Sequence, residues 1–292
     1  MRSRTILVTG ADARWYPLLQ AALNSLFDTN CRGSVAIGLL DLGLDTDQLS
    51  SVAANEIQIV KPDVEVNPAH AKIHGLGGAL GRAARFHLRD YFPGYEVYIW
   101  FDADAWVQTT EFLEPFILGA RRRGAAVARE DGIGYCFSER EKRWWNGNMM
   151  RLYGRVRGTY LSMLKSINLG VLALAANAPH WAVWEKRFRQ AVEHLNKLDV
   201  DQHAFFAAIH LDRLDVQFMP ARFDWICTLS TPKWNPNRGL FCEPGRQHRP
   251  ISILHLAGPS KERQYDVATL AGTSIGTGLT YEDARRLRKS AR

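Results

Sequence analysis

The run Val97-Tyr98-Ile99-Trp100-Phe101, ending at Asp102-Ala103-Asp104, constrains the fold of this chain more than any other feature. Five consecutive large apolar or aromatic residues leave no polar face, so they predict a central strand covered on both sides. Open α/β sheets bind their ligands beyond the carboxyl ends of such strands. Two exposed carboxylates placed there would repel each other unless a divalent cation joined them to an anionic ligand. The spacing has little weight by itself, because Asp45-Thr46-Asp47 and Asp199-Val200-Asp201 repeat it. Only 102–104 ends a strand of this kind, and that context selects it.

The remaining segments suit the same architecture. Thr5 to Thr9 reads as a first strand closed by Gly10-Ala11-Asp12, and Trp15 to Phe27 has helical spacing. Ser34 to Leu42 and Glu56 to Val60 read as strands, and Lys72 to Tyr91 as a helix interrupted by glycines. Ile167 to Leu172 resumes strand character, Pro179 to Leu195 is an amphipathic helix, and Ile251 to His255 a last strand. Strands alternating with helices predict an α/β fold with a mostly parallel central sheet flanked by helices. Two stretches break the pattern. Arg129 to Met163 is charged, glycine-containing and rich in aromatics, which predicts an irregular flap over a substrate. Thr231 to Pro250 carries four prolines and reads as a loop. No repeat or low-complexity linker divides the chain, so one domain over 1–270 with a basic C-terminal extension over 271–292 is expected.

With 292 residues and 46% hydrophobic content the chain can bury a full core. Its net charge of +7 favours anionic partners. The basic clusters are dispersed, however, and nucleic-acid binding would leave the 102–104 and 255–261 elements unexplained, so nucleic acid is not an expected partner. Cys31, Cys136, Cys227 and Cys242 form no CxxC pair, which argues against a zinc knuckle and suits a reducing compartment. The first strand begins by Thr5, leaving no room for a signal peptide, and no stretch approaches the roughly 20 apolar residues of a membrane helix. A cytoplasmic protein is therefore expected. Its tail from Thr280 is either a solvated charged terminus or a basic helix for peripheral docking on the inner face of the cytoplasmic membrane.

A second ligand-side strand end lies at His255. Two carboxylates and an imidazole suit Mn²⁺ or Mg²⁺, with the remaining positions left to phosphate oxygens and water. His255 also opens His255-Leu256-Ala257-Gly258-Pro259-Ser260-Lys261. That HxxGxxK pattern offers a metal ligand, a glycine permitting close backbone approach and an ammonium for a diphosphate. The expected metal ligands are thus Asp102, Asp104 and His255.

With these elements in order, the sequence resembles glycosyltransferase family 8, whose retaining enzymes have the GT-A fold and include glycogenin and bacterial lipopolysaccharide galactosyl- and glucosyltransferases. The resemblance runs from about residue 4 to 265. It rests on the strand-plus-DxD segment, on the more specific HxxGxxK element, on Asn168-Leu169-Gly170-Val171 as the family's N-x-G-V, and on Asp201-Gln202 as its DQ. The resemblance implies a metal-dependent hexosyltransferase using a UDP-sugar donor, with a glycan or glycolipid, such as lipopolysaccharide or another polysaccharide, as acceptor. It implies donor contacts from Thr9, Ala11, Asp12, Tyr16, Arg85, Asp102, Ala103, Asp104, Gly258 and Lys261. Gln202, Asp201 and Asn168 would do the work at the sugar. Gln202 is followed by His203-Ala204-Phe205-Phe206, and Lys261 by Glu262-Arg263-Gln264, both unlike the family's usual continuations. Trp144, Trp145 and Trp234 are candidates for stacking on an acceptor sugar. Two competing readings are a non-catalytic sugar-binding relative and a sugar nucleotidyltransferase. The latter usually carries several glycines after its first strand, where this chain has Gly10 alone.

Overall fold

The structure, a computed structural model, describes residues 4–65 and 71–290, with the backbone alone at 71–74. Its centre is a seven-stranded sheet of order β3-β2-β1-β4-β7-β6-β8. The strands are β1 (Thr5–Ala11), β2 (Ala36–Asp41), β3 (Gln58–Val60), β4 (Val97–Phe101), β6 (Ala125–Arg129), β7 (Ile167–Ala175) and β8 (Val216–Met219). All run parallel except β7, which is antiparallel to β4 and β6. The mostly parallel α/β sheet read from the sequence is present.

Side-chain alternation along β4 shows why its sequence is apolar throughout. Val97, Ile99 and Phe101 enter the core on one face, with α1 (Tyr16–Asp28) and α5 (Leu113–Arg123). Tyr98 and Trp100 enter the other, with α3 (Ala71–Ala84), α7 (His180–Leu195) and α8 (Asp201–Leu211). Each such buried side chain contributes about 1.5–3 kcal/mol relative to exposure. A third cluster, around Trp106, Trp225, Trp234, Phe241 and Tyr281, lies outside the main sheet. It is built from β5 (Ala105–Val107), β9 (Trp225–Ile226), the hairpin β10 (Lys233–Asn235) and β11 (Leu240–Cys242), β12 (Ile253–His255), the hairpin β13 (Tyr265–Ala268) and β14 (Ser274–Thr277), and α9 (Tyr281–Ser290).

Three expectations are corrected. The proline-rich stretch 231–250 is not a plain loop: Lys233–Asn235 pairs with Leu240–Cys242, and none of the prolines falls within those two strands. Ile253–His255 is not the last strand, because β13 and β14 follow. The segment 129–163 is mostly α6 (Glu139–Ser162). A capping box starts it: Ser138 accepts from the Glu141 amide while the Glu141 side chain accepts from the Ser138 amide. Gly154, at φ 73° and ψ 170°, interrupts it in a conformation that favours glycine. The chain folds back there, so that a Cβ built on Gly158 would lie 2.6 Å from the Met150 Cα.

The register of the small sheets positions the site. After Phe101 the chain turns through Asp102-Ala103-Asp104, the Ala105 amide donating to the Asp102 carbonyl. β5 then runs antiparallel to β12 with Ala105 opposite His255, and the Leu256 amide donates to the Asp104 carbonyl. On the other side of the turn, the Asp102 amide donates to the Gly170 carbonyl. Pairing of β6 with β7 jumps from Val127–Leu172 to Ala128–Asn168, leaving Leu169–Val171 as a bulge beside the site.

Candidate active site

Asp102, Asp104 and His255 each turn one potential ligand atom to a common point, all within 4.8 Å of one another. His255 Nε2 lies 3.3 Å from Asp104 Oδ1 and 3.9 Å from Asp102 Oδ2. Metal–oxygen bonds of about 2.1 Å put neighbouring ligands of one cation ~3 Å apart and opposite ones ~4.2 Å apart. The set therefore fits a single Mg²⁺ or Mn²⁺. Trp100 Nε1 donates to Asp102 Oδ1 at 2.6 Å and fixes that carboxylate. Burial pushes the Asp102 carboxyl up, whereas at Asp104 His255 and Lys261 outweigh the same penalty and hold the carboxyl below its ordinary range.

Asp224 was not legible as a site residue. Its side chain is wholly buried, and its Oδ1 lies 3.0 Å from His255 Nδ1. The Val171 amide holds its other oxygen. A carboxylate on Nδ1 leaves Nε2 to face the aspartates, the arrangement that orients metal-binding histidines. Burial opposes charge on the ring, but Asp224 and Asp104 prevail and raise the His255 pKa well above its ordinary value.

Lys261 Nζ sits 2.6 Å from Asp104 Oδ2, anchored by the Leu256 carbonyl at 3.0 Å and over the Trp15 ring. Gly258, at φ +60°, starts the turn that aims it. Asp201, at the start of α8, is clamped by two guanidinium groups: Arg82 at 2.8 Å on Oδ1 and Arg85 at 3.2 Å on Oδ2. Burial raises its pKa, but the arginines dominate and lower it. Arg85 also stacks on the Trp100 ring at 4.9 Å, which ties the clamp to the metal-side carboxylate. Arg82, one helical turn before Arg85, had no motif to mark it.

These groups line a cleft of about 560 Å³, bounded further by Trp15, Gly77, Gly170 and Gln202. A recess of about 160 Å³ opens from it, lined by Ala11, Asp12 and Ala103. Asp12 caps the following turn by accepting from the Trp15 amide, and Gly77 packs so close that a Cβ would overlap the Asp12 carboxylate. Two expected donor residues line neither space. Thr9 is fully buried in β1, and Tyr16 lies against the α1 side of the core; Gly10 and Trp15 take the corresponding places.

A second cavity, about 530 Å³, adjoins the cleft and shares Asn168, Gln202, Ala257 and Gly258 with it. Glu130, at the end of β6, organises the boundary and was likewise not foreseen. It accepts from Ser166 Oγ at 2.5 Å, Asn168 Nδ2 at 3.2 Å and Gln202 Nε2 at 3.4 Å, and burial pushes its carboxyl up. Gln202 Nε2 also donates to the Ile167 carbonyl, so its amide nitrogen is spent on protein. Among the described residues no donor reaches its Oε1. Asn168 Oδ1 accepts from the Gly170 amide at 2.7 Å, bracing the bulge. Trp144 and Trp145 line the second cavity, but Trp234 is packed in the third core cluster. Behind the tryptophans, His203 is pressed between their rings, and burial lowers its pKa to about 4.

No protein-family model matches the chain, and no curated protein matches it. Solved structures do. The galactosyltransferase LgtC, in complex with donor and acceptor sugar analogs, superposes with a TM-score of 0.59 at 17% identity, over 98% of this chain and 95% of LgtC. The chain has the GT-A fold. Glycosyltransferase GlyE of Streptococcus pneumoniae TIGR4 gives 0.55 at 15% identity, with 99% of this chain covering 60% of GlyE. The bifunctional glycosyltransferase WbbM gives 0.54 at 14%, with 88% of this chain covering 46% of WbbM. These GT-A neighbours are glycosyltransferases, and nearly the whole length of LgtC, unlike that of the other two, is spanned.

Proposed function

We propose that this protein is a divalent-metal-dependent glycosyltransferase that moves a hexose, glucose or galactose, from a UDP-sugar to a glycan or glycolipid, with retention of anomeric configuration. One observation carries the reading. The convergent Asp102, Asp104 and His255 lie in a cleft that a second cavity joins at Gln202 and Asn168, so one space can take the donor and the other the acceptor. LgtC, with the same fold, was solved with analogs of both.

Asp102, Asp104 and His255 Nε2 would hold Mn²⁺ or Mg²⁺, which supplies charge neutralisation at the diphosphate. The chain's own groups do the rest. Lys261 and Arg85, with Arg82 behind it, oppose the negative charge that grows on the departing UDP. Removing one well-placed donor of this kind typically costs about 2.7–4 kcal/mol. Ala11, Asp12 and Trp15 shape the recess proposed for the nucleoside. As the sugar becomes oxocarbenium-like, the free Gln202 Oε1 offers a carbonyl dipole. An amide is a poor covalent nucleophile, and both oxygens of Asp201 are committed to arginines. A same-face displacement, in which the acceptor oxygen bonds C1 as the C1–O bond to UDP breaks and the acceptor proton passes to the departing phosphate oxygen, is thereby favoured over double displacement. Glu130 keeps Gln202 and Asn168 in place between the two spaces.

Calorimetry of UDP with the intact protein tests this reading. Micromolar binding is expected in Mn²⁺, lost in EDTA and lost in Asp104→Ala. Equal binding in EDTA, or none in any condition, would sink the metal-diphosphate assignment. Binding without turnover of any UDP-sugar would point to the non-catalytic relative. The buried carboxylate on His255 gives a subtler expectation. Asp224→Asn should weaken Mn²⁺ about 10–100-fold, as loss of outer-sphere partners does elsewhere, while UDP affinity at saturating Mn²⁺ recovers. Electron paramagnetic resonance titration of Mn²⁺ reads this, and unchanged Mn²⁺ affinity would remove Asp224 from the site.

A further inference from the structure

Among the described residues, five of the seven exposed large hydrophobic side chains belong to α6 or the residue after it: Trp144, Met150, Val156, Tyr160 and Met163. Past the Gly154 kink their spacing is helical and inverted. Val156, Tyr160 and Met163 stand at i, i+4 and i+7, with 84%, 50% and 81% of their surface exposed. The opposite face carries Gly158 and Leu161, both buried against the rest of the protein. At about 100° per residue, Arg155 and Arg157 fall on the two flanks of the apolar stripe. Across α6 six basic side chains face two acidic ones, and among the described residues Arg140, Arg143, Arg151, Arg155 and Arg157 make no ion pair or hydrogen bond.

We propose that this face of α6 docks on an anionic bilayer surface, with Val156, Tyr160 and Met163 inserted at the headgroup boundary. An exposed apolar stripe rimmed by basic charge marks an interaction surface. Arginine stems lie along apolar surface while their heads meet lipid phosphates, so both halves of the pattern are used. A second copy of the chain would set two unpaired arginine clusters against each other. Nucleic acid would satisfy the arginines but leave the stripe in water. An anionic membrane answers to both. The tail helix is a weaker candidate, because its Tyr281 and Ala284 are buried, Arg286 pairs with Asp283, and Arg288 donates to the Gly239 carbonyl.

The position has a consequence that rests on the glycosyltransferase reading. Ser162, just before the last stripe residue, and Leu164, Lys165 and Ser166, directly after it, line the second cavity with Trp144 and Trp145. Docking through α6 would hold that cavity at the membrane, where an acceptor sugar carried on a lipid is presented.

Flotation of the full chain with vesicles of phosphatidylcholine, alone or mixed with phosphatidylglycerol, tests the docking. Binding to the anionic vesicles only, weakened by salt, is expected. Val156→Ser/Tyr160→Ser/Met163→Ser should bind at least about tenfold more weakly, since it removes the inserted apolar area. Arg155→Gln/Arg157→Gln should lose roughly twenty-five-fold at low salt, as each basic residue near the surface is worth about fivefold. Both variants should keep the wild-type melting temperature, sedimentation and UDP binding. The proposal is overturned if wild type ignores anionic vesicles, or if the triple variant binds like wild type. It is equally overturned if loss of binding follows Arg285→Gln/Lys289→Gln in α9 instead, or if the triple variant dissociates a lipid-free oligomer. Vesicle binding without UDP binding would condemn the functional reading alone; UDP binding without vesicle binding would condemn the docking alone.

Discussion

Replacing Gly170 by alanine should weaken metal-dependent UDP binding at least a hundredfold, about 2.8 kcal/mol, while the protein stays folded. A Cβ on Gly170 would overlap the His255 ring at Cε1 and Nδ1 and lie 2.8 Å from Asn168 Oδ1. The ring has no free direction in which to yield. Its Nδ1 is tied to Asp224, which is wholly buried and held in turn by the Val171 amide, so moving the ring breaks one bond or the other. Turning Nε2 away from Asp102 and Asp104 removes the third potential ligand, and the displaced Asn168 loosens its contact with Glu130. Overpacking of this kind costs about 1–3 kcal/mol of stability, so a lowered but cooperative melting transition is expected. Gly276→Ala is the control, because nothing lies within 4 Å of a Cβ there. Calorimetry on both variants checks the result, and wild-type UDP affinity in Gly170→Ala would mean that His255 does not need its present orientation.

How far the sequence reached depends on whether a residue's role is set locally or by packing. Asp102 and Asp104 were legible because β4 is covered on both faces, so its apolar run is unbroken and its end is sharp. His255 and Lys261 were legible because only five residues of strand end and turn separate them and fix their relation. Glu130, Asp224 and Arg82 were not. Each is a single charged residue in an ordinary local context, brought to the site by strand order: β6 beside β7 for Glu130, β9 beside β12 for Asp224. The one weak signal was Arg82 standing a turn before Arg85. The α6 segment was misread for a different reason. Three glycines and a polar sequence hid the helix, although Ser138 and Glu141 stand at capping-box spacing. A search for inward apolar periodicity also misses a helix whose apolar stripe faces out. Trp234 shows the converse limit, since a tryptophan in a proline-rich stretch looks exposed until the β10–β11 hairpin buries it.

The second large effect concerns Asp201. At neutral pH, Asp201→Asn should destabilise the protein by about 3 kcal/mol, the lower end of the cost of removing one partner of a buried ion pair. The amide oxygen can still accept a hydrogen bond, but it leaves Arg85, itself buried, with its charge unanswered. The pH dependence fixes the origin of the loss. Because the arginines lower the folded-state pKa of Asp201 below its unfolded value of about 3.9, the carboxylate stabilises the fold above that pH. As pH falls through the lower, folded value that contribution disappears. The gap between wild type and Asp201→Asn in urea unfolding should therefore be widest near neutrality and close in acid. A gap constant with pH would mean that packing, not charge, explains the loss. Turnover should suffer more than binding. Without the clamp, Arg82 and Arg85 keep their charge near the donor, so UDP affinity stays within a few fold, but they are no longer held where charge develops on the leaving group. A fall of at least tenfold in UDP-sugar turnover, measured as UDP released, is expected with little change in UDP binding. Equal losses in both would instead place Asp201 among the groups that hold the donor's ground state.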